Sequence, residues 1–545
     1  MSIKQLIVFV LLTGSFEAMA QRTKPAGDTV LKGSTIEVIQ AYKPKVKQSP
    51  KPEWVPQLPP LDTTHPEFNY DVPQQTLYYT YNSLPLQPLA LGRAQAKLPF
   101  PNYIKAGGGN LSTVFLDAGI GGIYGANYET GIHLHHIQQK GRIQHQETML
   151  SGIEAETKIH NAKADWRLAL DGSRNQYGYY GYNHMTYPDK AEDSIKQAYT
   201  NVKLDISMKN RLDSGEKFTY NPGIIGSIYR DRGDAAEASI GFNVPMVYDV
   251  DGALDLQIRV AGAVTRFTNN SQKISNNYIG AYPGLGIRAE RLTGHIVAGL
   301  VRSMDNNYFL PDVQGTYVAK NNLFSVGAGW AASLLRNTYE ELTSENPYMM
   351  NNYVVANGRR DEVFGQFYGR GGDHFTFSGR ISWWSFENLP TFINKFTSAN
   401  DWKYFNVSYQ DVKAVSFQPG IRFNEANKWS VGVTGEFYSF YKKTEAYVWH
   451  TPSMKLKGDF IINPTPKLTC GAYLSMLGGI HAKDVYGDPV DVPAVFDLGG
   501  NAEYLIISRL SVFAQLNNLL NYKYQRWYKY EAYGINIYGG LRLKF

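Results

Sequence analysis

The last thirteen residues, Tyr533 to Phe545 (YGINIYGGLRLKF), constrain the fold more than any other stretch. Ile535, Ile537, Gly539, Leu541, Leu543 and Phe545 alternate with Asn536, Tyr538, Gly540, Arg542 and Lys544. Successive side chains of a strand point to opposite faces, so this is a strand with one apolar and one polar side. A strand of about 9–11 residues crosses a bilayer. The same pattern would suit the edge of a soluble sheet, but it recurs along most of the chain. Leu254, Leu256, Ile258, Val260 and Val264 alternate with Asp255, Gln257, Arg259, Ala261 and Thr265. Val202, Leu204, Ile206 and Met208 alternate with Lys203, Asp205, Ser207 and Lys209. A soluble sandwich would bury those charges in a dry core at a prohibitive desolvation cost. They call instead for a wet lumen.

From Phe100 onward the pattern predicts an all-β, transmembrane antiparallel β-barrel of about 22 strands, at roughly 20 residues per strand and connection. Its connections alternate short and long. Short turns rich in Asn, Asp, Gly and Pro are expected at Asn161-Ala162, Tyr248–Gly252, Arg291–Gly294, Arg370–Asp373, Asn463–Lys467 and Ser508-Arg509, as tight turns require. These belong on the periplasmic side. Longer connections near 138–148, 177–197, 268–278, 337–357, 387–410, 442–453, 480–494 and 520–533 belong outside the cell. Gly107–Gly109 read as a tight turn between strands. Composition agrees with a barrel: aromatics reach 14% and glycines number 51, while mean hydropathy is only −0.34. Half of each strand faces water, and aromatics collect at the membrane interfaces. The net charge of +6 makes no case for nucleic acid.

Residues 1–20 read as a signal peptide. Lys4 gives the positive start, Leu6–Leu12 the apolar core, and Ala18-Met19-Ala20 the cleavage site. The single cysteine, Cys470, leaves no internal disulfide in an exported chain. Residues 21–99 hold twelve prolines. Proline removes donors and fixes φ, so this stretch reads as an extended periplasmic arm or a linker. Residues 100–545 form the barrel. Export followed by amphipathic strands without an apolar helix places the protein in a Gram-negative outer membrane, with outer-membrane lipid around it.

The run Val512–Tyr524 (VFAQLNNLLNYKY) and the final YGGLRLKF resemble the closing strands of TonB-dependent receptor barrels. The stretch Tyr103–Asn110 (YIKAGGGN) with Gly131–Lys140 (GIHLHHIQQK) is similar to the barrel opening of TonB-dependent receptor-like proteins of Bacteroidota. The resemblance covers roughly residues 100–545 and speaks for architecture. It implies a C-terminal barrel signal at Tyr538, Leu541, Leu543 and Phe545. Members of the family carry a plug of over a hundred residues before the barrel, and the Pro-rich stretch here does not match one. Thr35, Ile36, Glu37, Val38 and Ile39 are TonB-box-like, which would make TonB a partner. A 22-strand barrel is normally filled. The expected filling is inward side chains, infolded loops, the arm or a partner protein.

Local chemistry is sparse. His133 and His135 share a strand face at a spacing compatible with metal binding, but no third ligand is evident, and Leu134 between them fits an ordinary strand. Tyr177–Tyr182 (YGYYGY) reads as an aromatic girdle and loop base. Asp484, Asp488 and Asp491 read as solvated loop acids. No G-x-S-x-G, P-loop or dinucleotide fingerprint occurs. No catalytic, cofactor or metal residue is assigned, and the expectation is a non-enzymatic protein without cofactors. Two functions compete: a subunit of a multiprotein outer-membrane complex with protein partners in the outer membrane or periplasm, for example in outer-membrane-protein or surface-lipoprotein biogenesis, and a TonB-dependent nutrient uptake transporter. A passive porin fits the large loops less well.

Overall fold

The computed structural model describes residues 102–545 apart from 189–193, 214, 321, 397–400, 402, 426 and 427. Each strand pairs antiparallel with the next, and Asn102–Gly109 pairs with the final strand Asn536–Lys544, so the sheet closes. Twenty-four hydrogen-bonded segments make 22 strands. Phe218–Tyr220 continues into Gly223–Arg230 along one neighbour, Ala236–Asp249. Lys273–Ser275 continues likewise into Tyr278–Arg288 along Leu254–Thr268. The expected all-β barrel and its strand number are therefore observed.

The alternation sorts side chains as the pattern requires. Ile240 and Val264 are 67% and 65% exposed on the outer, lipid-facing side of the wall. Leu256, Ile258, Leu541 and Leu543 face outward with them. The inward charges meet partners across the wall. Arg380 pairs with Glu362 at 2.7 Å, Arg288 with Asp255 at 2.7 Å, and Arg167 bridges Glu156 at 2.8 Å and Asp205 at 3.1 Å.

At the end that holds both barrel termini, successive strands are joined by short turns such as 126–127, 161–163, 250–253 and 508–509. Short turns mark the periplasmic end of such barrels. At the other end the connections 179–195, 336–357, 479–494 and 518–535 are long. The expected connection 387–410 is shorter than read. Its flanking strands Phe375–Lys395 and Tyr404–Glu425 run 21 and 22 residues, well beyond the roughly 9–11 that cross a bilayer.

Gly107–Gly109 is not a turn. These glycines end the first strand, and the turn follows at 110–112. They belong to the seam that closes the barrel, where Gly107 lies opposite Gly540 and Gly108 opposite Gly539. A Cβ on Gly107 would collide with the Gly539 carbonyl, and one on Gly540 with the Ala106 carbonyl. Two backbones approach here too closely for side chains. The seam is also the shortest part of the wall, with neighbouring strands of 8, 9 and 8 residues.

Candidate functional site

Three outer loops turn into the lumen and build a core there. The connection 336–357 carries the helix α1, Tyr339–Glu345. Thr338 caps it. The Thr338 hydroxyl accepts from the Glu341 N–H at 3.2 Å, and Glu341 accepts in return from the Thr338 N–H at 3.3 Å. This reciprocal box satisfies two of the donors that a helix start leaves open. Two more, the N–H groups of Tyr339 and Glu340, donate to the Glu237 carboxylate on the barrel wall at 2.8 and 3.2 Å. The helix is thus fixed to the wall by its first turn.

The same segment crosses to the early strands. Lys203 donates to Glu340 at 2.7 Å, and Asn201 donates to it at 2.9 Å. Lys203 is the eighth residue of the fifteen-residue strand Lys196–Asn210, so Glu340 reaches about mid-wall. Tyr199 donates to the Pro347 carbonyl at 2.9 Å, and the Tyr229 and Thr343 hydroxyls are 2.7 Å apart. Around these contacts lies an aromatic core of Tyr199, Tyr229, Phe267, Tyr339, Phe405 and Tyr530, among others. Tyr339 and Phe405 are 0% exposed. Tyr348 stacks on Tyr530 at 3.7 Å, which ties 336–357 to 518–535. Tyr180 meets Tyr530 at 4.8 Å and adds the third loop, 179–195. Burial pushes the Tyr348 and Tyr530 hydroxyls far above the ordinary phenol range, so both stay neutral.

His450 anchors the neighbouring connection 444–453. Its Nδ1–H donates to the Phe392 carbonyl at 2.7 Å, and Nε2 accepts from the Tyr528 N–H at 3.3 Å. The ring is wedged against Phe405 and Trp527. Burial there holds its pKa down, to about 3.

Below the loops, the wall carries a polar band. His133 and His135 face the lumen from Tyr128–Lys140. Cross-strand pairing sets Glu154 beside His133, Gly152 beside His135, and Asp117 beside His135 on the other flank. His133 Nε2 lies 3.1 Å from Asp117 Oδ2. Ligand atoms of His133, His135 and Glu154 all lie within 4.8 Å of one another. The sequence shows the histidine pair but not Glu154, because strand register is not written in spacing alone.

The other residues singled out from sequence fall as follows. Thr35–Ile39 lie outside the described residues. Tyr538 turns inward, its ring 5.5 Å from Phe115, while Leu541, Leu543 and Phe545 are exposed. Tyr179 and Tyr182 are buried in a separate small cluster with Ile195, so YGYYGY is a loop base rather than a lipid-facing girdle. The Asp484 carboxylate accepts from the N–H groups of Tyr486 and Asp488, each at 2.9 Å, and so holds a tight turn. Asp491 pairs with His481 at 2.6 Å. The role of 336–357 was missed. Its one local signal is Thr338-x-x-Glu341, a capping box followed by the apolar Leu342.

The closed wall of 22 strands, its apolar outer belt and its paired lumen charges define an outer-membrane β-barrel. No family model and no curated protein sequence matches the chain. Solved structures do. The FrpB iron transporter from Neisseria meningitidis superposes with a TM-score of 0.64 at 10% identity, covering 82% of this chain and 81% of FrpB. The ferripyoverdine receptor of the outer membrane of Pseudomonas aeruginosa gives 0.60 at 13% identity, over 82% and 72%. The ferric-catecholate import receptor Fiu from Escherichia coli K12 gives 0.60 at 9% identity, over 82% and 82%. At such identities the likeness is one of fold.

Proposed function

We propose that this protein is a non-enzymatic outer-membrane barrel that serves as a subunit of a multiprotein outer-membrane assembly. Outer-membrane-protein and surface-lipoprotein biogenesis are candidate settings. The observation that carries this reading is the loop core in the outer mouth. A solute channel needs a wet path, and a receptor needs a cavity at its outer face. Here three loops pack with wall aromatics into a buried core, and a capped helix is held to the wall by the Glu237 carboxylate. That arrangement suits a scaffold whose lumen is occupied and whose rim and arm are left for protein partners. In this reading the stretch 21–99 is a plugless periplasmic arm and residues 1–20 are the export signal.

Native extraction in mild detergent, followed by size analysis and mass spectrometry, tests the proposal. Stoichiometric companions are the expected result. A lone barrel would overturn it.

A second reading is TonB-dependent uptake. It is favoured by the fold shared with FrpB and Fiu, which are described as an iron transporter and a ferric-catecholate import receptor. In that case residues 34–40 would engage TonB. Deleting them would abolish uptake of a nutrient the cell needs, whereas an assembly subunit that docks elsewhere would be unaffected.

A further inference from the structure

We propose that His133, His135 and Glu154 form a binding site for a divalent first-row transition-metal ion on the lumen wall, with Asp117 as a positioning residue. The site does not depend on which function above is correct.

The ligand set comes from pairing across two adjacent strands. His133 and His135 lie two residues apart on Tyr128–Lys140, on the lumen face. Glu154 is the direct cross-strand partner of His133 on Glu147–His160. The two imidazole rings stack with centroids 5.9 Å apart and an interplanar angle of 28°. Two imidazoles and a carboxylate are a donor set of the zinc type. Imidazole suits zinc, copper, iron and nickel, whereas calcium and magnesium prefer oxygen alone. A tetrahedral ion with bonds of about 2.0–2.2 Å holds its ligand atoms roughly 3.3–3.6 Å apart. The three donor atoms, within 4.8 Å of one another, are therefore within about an ångström of that spacing. Three protein ligands leave a fourth position open to water or to a group carried through the lumen.

Two further features fit an ion. The Asp117 carboxylate takes one nitrogen of His133 at 3.1 Å and is itself held by the Tyr103 hydroxyl. A carboxylate on one imidazole nitrogen fixes the tautomer and leaves the lone pair on the other, which is how metal-binding histidines are oriented. Gly152 sits opposite His135, and a Cβ there would collide with the His135 ring. The imidazole takes the space that a side chain at 152 would need.

The test uses the full chain, folded in detergent and without an affinity tag. It is equilibrated with Zn²⁺, desalted and assayed for metal by mass spectrometry. Co²⁺ is added in parallel for its ligand-field absorption. Wild type should retain about one zinc per chain and give a tetrahedral cobalt spectrum. His135→Ala and Glu154→Gln should lose the zinc. Gly152→Ala should lose it with all three ligands present. Asp117→Asn should weaken binding by about 10–100-fold. His136→Ala, on the opposite face against Ser151, should keep it. Migration as a compact band in unheated SDS gels confirms that each variant is folded. Wild type that retains no zinc overturns the proposal without reference to any variant. Retention unchanged in His135→Ala and Glu154→Gln overturns it equally, since the ion would then lie elsewhere.

Discussion

At position 450 an imidazole has to stay neutral within a core. His450 is 2% exposed, and both its nitrogens are committed to the backbone. Its pKa falls from 6.5 to about 3 in the folded loops. Between those values the unfolded segment binds a proton and the folded one does not. The contribution of His450 to the stability of the segments around it is therefore full above about pH 6.5 and is lost as pH falls toward about 3. Hydrogen exchange over 444–453 and 524–531 should speed up from pH 7.5 to pH 5 after correction for intrinsic rates. His450→Gln keeps a donor and an acceptor but does not titrate, so it should flatten that dependence. An equal pH response in both proteins would remove His450 as the cause. Asn536 makes a related point at the barrel seam. It is 3% exposed, donates to Asn110 and Thr113, and accepts from Gln139 and Asn517, all at 3.0–3.1 Å. Thr113 already donates its hydroxyl to Asn110. Asn536→Asp therefore sets an acceptor against two acceptors. A loss of about 1–3 kcal/mol is expected, read as a lower temperature for the folded-to-unfolded band shift.

At the scale of elements, the seam is where closure is most easily broken. Cβ atoms at Gly107 and Gly108 meet different surroundings. At Gly107 the obstacle is the backbone of Gly539 and Gly540, which cannot rotate away, whereas at Gly108 it is the Thr113 carbonyl alone at 3.2 Å. Gly107→Ala should sharply reduce the compact band in unheated gels, and Gly108→Ala should be largely tolerated. Equal yields would contradict the close approach. The strands themselves were legible, because a barrel wall imposes the period of two at nearly every position: Leu256 and Ile258 out, Asp255 in. The glycine seam was not, since Gly-Gly-Gly has the same composition in a turn and in a tight pairing. The helix α1 was hidden for another reason. Seven residues hold too few turns to show a period, and only Thr338 and Glu341 mark its start. Glu154 was out of reach because pairing it with His133 requires the register across the connection 141–146. A single residue of slip there would turn Glu154 to the lipid.

At the scale of the whole molecule, the question is what keeps so wide a barrel from leaking. A lumen of 22 strands is ordinarily plugged. In its outer half the chain's own loops pack against the wall, with Tyr339 fully buried and Glu340 extended to Lys203 near mid-wall. Sequence could name infolded loops as one option among several. It could not select them, because tyrosines and asparagines suit a solvated loop as well as a buried one. The choice is made by partners distant in the chain, such as Asp231, which accepts from the Tyr339 hydroxyl at 3.1 Å. Tyr339→Ala should cost the loop core about 3–5 kcal/mol, the usual range for removing a buried aromatic side chain. The barrel wall should survive, since its ladder does not pass through that residue. The functional consequence is conductance. The intact protein should be nearly silent in planar bilayers. Replacing 338–356 by a short Gly-Ser linker should open large, steady channels. The measurement should be made on the full chain and on one lacking residues 21–99, because an arm lying in the lumen would mask the opening in the first and not in the second. Channels of equal size before and after loop removal, in both backgrounds, would mean that the loop core does not seal the pore. In that case the assembly reading would lose the observation on which it rests.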